Sequence, residues 1–555
     1  MEKVGSFIQK IEDSIVQNWH RDALTDYQGV TLQYNDLARR IEKYHIIFEE
    51  CGIRPGDKIA VCGRNSAAWV VTFLAAMTYR AVIIPILHEF KPDNVHTIVN
   101  HSESRLLFVG DVVWEGLNEA AMPGIEGVVD IISFKPVVDR TGKLTHTFDH
   151  LNELFGKRFP YKFRPEHIKY TPEDSSEDLA LINYTSGTTG YSKGVMLPYR
   201  SLVSNVDYCS RMIRLKPGDH IVSMLPMGHV FGMTYDFLYG ISAGAHIFFL
   251  TRMPSPKIIM QSFPEMKPRV ISTVPLVVEK IIKKFILPRI ENPLGRLLFQ
   301  LPVISDVLKT KAREVAMNAF GGEFDEIIIG GAPFNAEIEA FLKKINFPYT
   351  IAYGMTECGP IICSSRWEDL KLGSCGKAAD NMEVIIDSPD PFREPGEILC
   401  RGLNMMLGYY KNPEATAQTI DVHGWLHTGD LALIDEEGNI SIKGRRKNML
   451  LTASGQNIYP EEIEATLNNM PYVSESLIVL QNDKLVALIY PDFDDALAHG
   501  LVQQDLENIM EENRVALNAT LPRFAQVAKY KIYPEEFEKT AKRSIKRFLY
   551  QEAKG

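Results

Sequence analysis

The sequence predicts an α/β protein: a large N-terminal domain of mainly parallel sheets with a small β-rich subdomain, then a small mobile α+β domain. Three observations predict it. From about residue 58, short apolar runs of strand length alternate with helical patterns. Between Gly373 and Gly444 the pattern changes to short strands broken by Gly, Asp and Asn turns. At 555 residues the chain is too long for one core, on a prior of roughly 100–200 residues per domain.

Taken in order, "KIAVC" (58–62) reads as a strand, "SAAWVVTFLAAMTY" as a helix, "AVIIPI" as a strand, "DNVHTIVNH" as a helix and "RLLFV" as a strand. The run from Ala67 to Tyr79 is the most apolar in the chain and is closed by Arg80. It falls short of the ~20 residues a membrane span needs and predicts a buried helix. Further on, "HIVSML", "AHIFFL", "VISTV" and "DEIIIG" are strand-like, each with a helical pattern nearby. Such alternation implies βαβ units and parallel sheets covered on both faces. "IDEEGNISIKG" carries the turn-rich signature of the β-rich part, expected at about 373–444. After Gly444 come a helix in "PEEIEATLNNM", strand-like "ESLIVL" and "LVALIYP", and a helix over 503–518. The expected domains are therefore 1–445 and 446–555, with no internal repeat.

Composition excludes several classes. An apolar fraction of 45% and a charged fraction of 23% belong to an ordinary globular protein. Sixty basic against seventy acidic side chains give −10, which argues against general nucleic-acid binding. Seven cysteines (51, 62, 209, 358, 363, 375, 400) contain no C-x-x-C. Neither a disulfide framework nor a structural zinc site is expected, and a reducing cytoplasm is the natural compartment. The N-terminal residues have no continuous apolar core, so no secretory signal is expected. Between Lys280 and Arg313, eight basic and two acidic residues leave a local +6. That segment is either a solvated connector or a basic, partly apolar surface for peripheral contact with anionic membrane.

Chemistry concentrates first in "INYTSGTTGYSKGVMLPYRS" (182–201). Hydroxyls and unshadowed backbone N–H groups donate to anionic oxygens, glycine admits close approach, and Lys193 adds a point charge. The phosphate-loop template G-x-x-x-x-G-K-[ST] does not fit. Counted from Gly187, its second glycine falls on Ser192 and its hydroxyl position on Gly194. A solvated Ser/Gly turn is the plain alternative. The loop, however, follows a strand-like run (Leu179 to Ile182) and precedes a helical pattern from Tyr199, which is where an α/β sheet places ligands. Anion binding is the expectation.

Four further clusters follow. "IIIGGAPF" (327–334) is a strand running into two glycines, suited to a flat ring. "AYGMTECGP" (352–360) gathers aromatic, hydroxyl and carboxylate groups. "GWLHTGDLA" (424–432) ends in an acid able to grip a ribose diol, and "IKGRRKNML" (442–450) offers cations at the domain boundary. Alone, each reads as a turn, a core tyrosine or a solvated charge. In order over about 260 residues, "YTSGTTGYSKG", "YGMTE", "HTGD" and "GRRKN" closely resemble the adenylate-forming superfamily of acyl-CoA synthetases, amino-acid adenylation domains and luciferases. The resemblance spans nearly the whole chain and is nearest in kind to the long-chain fatty acid–CoA ligases.

The resemblance implies that a carboxylate attacks the α-phosphate of ATP to give an acyl-adenylate and pyrophosphate, and that the acyl group passes to the thiol of coenzyme A. Two anions converge in the first step, so the protein must neutralise and align them. By resemblance, Thr185, Ser186, Gly187, Thr188, Thr189, Gly190 and Lys193 wrap the β- and γ-phosphates. Thr356 reaches the α-phosphate, and Glu357 with Thr185 holds Mg²⁺, a hard cation suited to oxygen ligands. Adenine lies between Gly331-Ala332-Pro333 and Tyr353-Gly354-Met355. Asp430 accepts from the ribose hydroxyls beside Arg445. Lys447 is the hinge about which the C-terminal domain swings between half-reactions. His229, in "LPMGHVFGM" (225–233), stands beside the acyl pocket, with Gly331, Tyr353 and Gly354 also facing substrate.

The long region 276–320 resembles long-chain members, and each buried methylene contributes up to ~0.8 kcal/mol, so a medium- to long-chain fatty acid is expected. The alternatives are a ligase for another acid, one that loads a carrier protein, and a weakly catalytic binding relative. The last arises from "EKTAKRSIKR" (538–547). Relatives carry a pattern like P-K-T-x-x-G-K-I-x-R there, and alignment puts Ser544 at the lysine that enters the site during adenylation. A serine offers one neutral hydrogen bond where a charge-assisted one is needed. Lys542 and Lys546 flank the gap, and Lys542 is the expected substitute. Oligomeric state is left open.

Overall fold

The computed structural model describes residues 5–185, 193–250, 255–290, 302–451, 457–482, 484–539 and 545–551. The alternating segments form two large sheets. In the eight-stranded one, Lys58–Cys62, Val82–Ile86, Leu106–Val109, Gly127–Asp130 and Leu179–Thr185 are parallel. In the nine-stranded one, Asp22–Asp26, His220–Ser223, His246–Phe249, Val270–Thr273, Glu326–Gly330 and Tyr349–Gly354 are parallel. Antiparallel strands finish the edges of both sheets.

Successive strand residues point to opposite faces, and the cores follow that alternation. Ile59 and Val61 of one sheet, with Leu24, Ile221 and Ile247 of the other, join a shared core with Trp69, Phe73 and Phe237. Trp69 stacks on Phe73 at 5.4 Å between centroids, and Phe237 meets Phe73 edge-on at 5.0 Å. Ala60, Cys62, Ile84 and Leu107 face a second core on the far side of their sheet. Val222, Ile271, Ile327 and Ile329 face a third. Helices thus fill the space between two sheets and cover both outer faces, which explains the near-continuous apolar strands. The helix Ala67–Thr78 is buried in the shared core, as its composition predicts. No helix among the described residues is long and apolar enough to cross a membrane. All seven cysteines are free and buried.

One expectation needs correction. The helix begins at Tyr199 as expected, but the stretch before it is not loop throughout. Lys193–Pro198 is a strand antiparallel to Leu179–Thr185, pairing Thr185 with Lys193 and Tyr184 with Gly194, and the helix Tyr199–Met212 begins only after it. Only Val195 of "KGVMLP" is β-branched, and it is pairing on both sides that makes the segment a strand. Lys193 therefore stands at the base of a hairpin. Ser186, Gly187, Thr188, Thr189 and Gly190 lie outside the described residues.

Met382–Asp387, Gly396–Gly402, Leu426–Ile434 and Ile440–Arg445 make a four-stranded antiparallel sheet. The strands Lys377–Ala378 and Gly408–Tyr409, from the same stretch of chain, join the two large sheets instead. C-terminal to these, Val473–Gln481, Lys484–Pro491 and Val527–Ile532 form a three-stranded sheet. The helices Pro460–Leu467 and Gln503–Thr520 cover it through Ile463, Leu467, Met510 and Leu517. This part touches the rest through Lys443–Glu462 at 3.0 Å and Asn448 Nδ2 donating to Glu461 Oε1 at 2.6 Å. Lys283 Nζ, in the basic segment, donates to Asn469 Oδ1 at 3.0 Å, and Lys309 pairs with Asp306. Residues 291–301 of that segment lie outside the described ones. Lys539 and Ile545 form an antiparallel bridge, Lys546 pairs with Glu538, and Arg547 pairs with the buried Glu464. Lys542 and Ser544 lie outside the described residues.

Candidate active site

The site is assembled where the hairpin, the ends of two strands and the four-stranded sheet meet. At the phosphate end, Gly194 sits so close to its neighbours that an added Cβ would lie 2.8 Å from Ile182 Cγ2. Lys193–Pro198 also pairs with Gly408–Tyr409, and Tyr410 N donates to Gly194 O at 2.7 Å. This pairing brings Tyr409 beside Lys193. Its ring centroid lies 4.7 Å from Lys193 Nζ, and its hydroxyl donates to Glu357 Oε1 at 2.7 Å. The ring face attracts the ammonium, and the hydroxyl steadies the carboxylate. Burial, then the Glu357 charge, holds the Tyr409 phenol well above its ordinary range, so it remains a donor. Thr356 and Glu357 are buried in a short 3₁₀ turn, Thr356–Cys358, after the strand Tyr349–Gly354. Met406 N donates to Glu357 O at 2.8 Å. Sequence reasoning missed Tyr409, since "LGYYKN" offers only an aromatic pair and the antiparallel pairing alone gives it a place.

At the nucleoside end, Glu326–Gly330 and Tyr349–Gly354 run parallel, with Gly330 opposite Ala352. Gly331 has φ +86° and open space where a Cβ would point, and Ala332 and Pro333 are exposed. A flat ring has room to approach this backbone. Gly354 is the opposite case, because a Cβ there would lie 1.9 Å from Pro360 O. Tyr353 OH donates to Asp430 Oδ2 at 2.8 Å, and Arg445 Nε lies 2.9 Å from Asp430 Oδ1. Asp430 and Arg445 are direct cross-strand partners, so the sheet itself imposes this pair. Burial raises the Asp430 carboxyl, and the Arg445 charge followed by the Tyr353 hydrogen bond opposes the rise. Tyr353 therefore does more than offer a ring, since it also orients the acid.

The remaining candidates fall around this centre. Lys447 feels Arg445, Asp430 and Glu461; desolvation first, then the Arg445 charge, lowers its ammonium. His229 caps the short helix Val230–Gly232, its Nδ1 accepting from Phe231 N at 3.2 Å. The next turn continues as a π-helix, Met233–Leu238. Phe231 packs against Gly330 and meets Tyr235 edge-on at 5.2 Å. Lys193 and Glu357 thus come together through Tyr409, and Tyr353, Asp430 and Arg445 come together directly.

Residues 11–410 match the family described as AMP-binding enzyme. The chain belongs to this family. Among similar proteins of the AMP-binding family is 4-coumarate-CoA ligase 1 of Narcissus pseudonarcissus, 27% identical over 84% of this chain and 81% of its own. The peroxisomal long chain acyl-CoA synthetase 6 of Arabidopsis thaliana is 28% identical over 88% of this chain and 73% of its own. The long-chain-fatty-acid–CoA ligase of Escherichia coli is 26% identical, covering 85% and 82%. Among solved structures, the anthranilate CoA ligase in complex with anthranoyl-AMP superimposes with a TM-score of 0.79 at 18% identity, covering 99% of this chain and 97% of that one. ATP-bound MatB from Rhodopseudomonas palustris gives 0.77 at 22% identity, covering 98% of each. These likenesses bear out the α/β fold and the superfamily expected from the four motifs.

Proposed function

We propose that this AMP-binding enzyme is an acid–CoA ligase that activates a medium- to long-chain fatty acid with ATP to acyl-AMP and transfers the acyl group to coenzyme A, releasing AMP and pyrophosphate. The observation that carries the reading is a pair of contact groups: Lys193 over Tyr409 with Tyr409 on Glu357, and Tyr353 with Arg445 on Asp430. It provides a cation and a carboxylate in one group and a buried, preoriented acid in the other, drawn from strands of three different sheets and the turn Thr356–Cys358. That is the charge pattern of a bound nucleoside triphosphate.

In the adenylation step, the acid's carboxylate attacks the α-phosphorus and pyrophosphate leaves. Lys193 and the loop hydroxyls neutralise the departing β- and γ-phosphates, and Thr356 donates to the α-phosphate. Asp430 accepts from the ribose hydroxyls while Tyr353 and Arg445 hold it still. Glu357 presents a buried carboxylate with one oxygen engaged by Tyr409. That donor set suits Mg²⁺, which takes one or two carboxylates plus phosphate oxygens and water. When bound there, with Thr185 beside it, the ion would offset phosphate charge. Lys542 supplies the cation that Ser544 lacks; Lys546, the other flanking cation, is engaged by Glu538. Rotation about Lys447 then opens the site to the thiol of coenzyme A.

The fatty-acid assignment draws support from the long-chain ligases of plant and bacterium and from the aromatic wall of Phe231 and Tyr235 beside Gly330. An aromatic acid is the second reading, because 4-coumarate ligases are equally similar. The test is ATP- and CoA-dependent thioester formation across acids of two to eighteen carbons, with 4-coumarate and anthranilate alongside. Turnover rising with chain length supports the proposal; turnover confined to aromatic acids replaces it. Acyl-AMP formation by Lys542→Ala and Ser544→Lys completes the assay. An active parent unchanged by Lys542→Ala removes that residue from the mechanism, and an inactive parent rescued by Ser544→Lys marks the chain as a binding relative. Vesicle binding measured with Lys283→Glu, Lys284→Glu and Arg289→Glu together decides whether 280–313 touches anionic membrane.

A further inference from the structure

Glu397 lies in the strand Gly396–Gly402, is buried, and has no part in the reaction described above. The ladder around it is irregular. Leu399 pairs with His427 and Glu397 pairs with Leu431, so Ile398 alone faces Thr428, Gly429 and Asp430. A bulge of this kind breaks ladder bonds and re-aims a side chain. Here side chains replace the lost bonds. Thr428 Oγ1 donates to Ile398 O at 2.9 Å, Asp430 N donates to Thr428 Oγ1 at 3.1 Å, and Gly429 N donates to Glu397 Oε1 at 2.9 Å. Gly429 has φ +72°, which glycine adopts without strain. The direction in which Asp430 points is thus set partly by the Glu397 carboxylate.

Its second oxygen faces the other way along the same site. Glu397 Oε2 accepts from Arg446 Nη1 at 2.8 Å and lies 3.4 Å from His427 Nδ1. His427 Nε2 is in turn 3.6 Å from Asp421 Oδ2. Arg446 falls between Arg445, which holds Asp430, and Lys447, the hinge of the proposed reaction. One buried carboxylate therefore joins the turn behind the ribose acid to the last residue before the hinge.

We propose that Glu397 is a positioning residue. It holds the Asp430 bulge in place and, through Arg446, fixes the N-terminal side of the hinge, so that rotation begins at Lys447 and the ribose grip survives the swing. The inference rests on the reading of this site as an adenylate-forming centre. Glu397 itself touches no reacting atom.

The test separates its two arms. Glu397→Gln keeps an oxygen for Gly429 N and loses the charge; Glu397→Ala loses both; Arg446→Met loses only the ion pair. AMP binding is measured by calorimetry, and adenylation and thioester formation from preformed adenylate are measured separately. AMP affinity should fall about tenfold in Glu397→Ala and stay within about twofold in Arg446→Met, the scale typical of residues that orient a ligand's direct partners. The ratio of the two half-reactions should shift about tenfold in Arg446→Met and Glu397→Gln, return with Arg446→Lys, and shift no further when the two changes are combined, as expected of coupled residues. Unchanged AMP affinity in Glu397→Ala overturns the first arm. Equal loss of both half-reactions, or none, in Arg446→Met overturns the second. If Glu397→Ala does not fold, Glu397→Asp, one methylene short, decides the first arm by the same measurement. A parent that binds AMP but adenylates no acid sinks the proposed function, while calorimetry still decides the role of Glu397.

Discussion

Tyr409 makes two contacts with different chemistry, and a substitution can separate them. In Tyr409→Phe the ring remains under Lys193 and the hydroxyl on Glu357 is lost. Adenylation should fall about tenfold in kcat with little change in the KM for ATP, as for loss of a group that orients a ligating side chain. Tyr409→Leu removes the ring as well and should raise that KM too. Equal kinetics for Tyr409→Phe and the parent would deny the hydroxyl any part in holding Glu357. A second residue has a pH signature. Burial, with the nearby charges of Glu368 and Asp325 adding to it, pushes the Glu326 carboxyl from 4.5 up to about 8. The folded chain then binds a proton that the unfolded chain releases between those values. Its contribution to stability is whole below 4.5 and is lost as pH rises through about 8. Glu326→Gln should flatten the decline of Tm with rising pH by one proton, at most about 1.4 kcal/mol per pH unit. Superimposable profiles would mean that Glu326 is charged in the folded protein.

Among the elements, the hairpin of Leu179–Thr185 and Lys193–Pro198 does the most to place the site. Its register sets Lys193 opposite Thr185, and its outer edge recruits Gly408–Tyr409. Gly194 permits that close pairing, since a Cβ would meet Ile182 at 2.8 Å and the Tyr184 ring at 3.1 Å. Gly194→Ala should cost about 1–3 kcal/mol, the range for overpacking, and raise the KM for ATP by displacing Lys193 from Tyr409. Denaturant unfolding and initial-rate kinetics check both. Parent-like values in each would show that the hairpin tolerates a wider separation. The antiparallel return was not legible beforehand. The six residues "KGVMLP" are too short for their periodicity to separate a strand from the lead-in to a helix, and only pairing on both sides makes them a strand.

For the whole molecule, the decisive feature is the junction at Lys447. On one side Arg445 and Arg446 are tied to Asp430 and Glu397; on the other, Asn448 is tied to Glu461 of the C-terminal part. Lys447→Pro fixes φ at about −65° and should impair one half-reaction far more than the other if a large backbone rotation occurs there. Equal loss of acyl-AMP formation and of thioester formation from preformed adenylate would place the rotation elsewhere.

The order of chemistry along the chain was readable because it is local. Hydroxyl- and glycine-rich runs, an acid after a turn, and strands buried on both faces each leave a pattern within a dozen residues. Those patterns determined the fold class, the family and the candidates Thr356, Glu357, Asp430 and Arg445. What tertiary structure decided is which of them touch. Tyr409 reaches Glu357 from 52 residues away, Tyr353 reaches Asp430 across 77, and Arg446 reaches Glu397 across 49. Such contacts arise from strand pairing and a bulge, whose register depends on partners distant in sequence, and no local pattern specifies a distant partner.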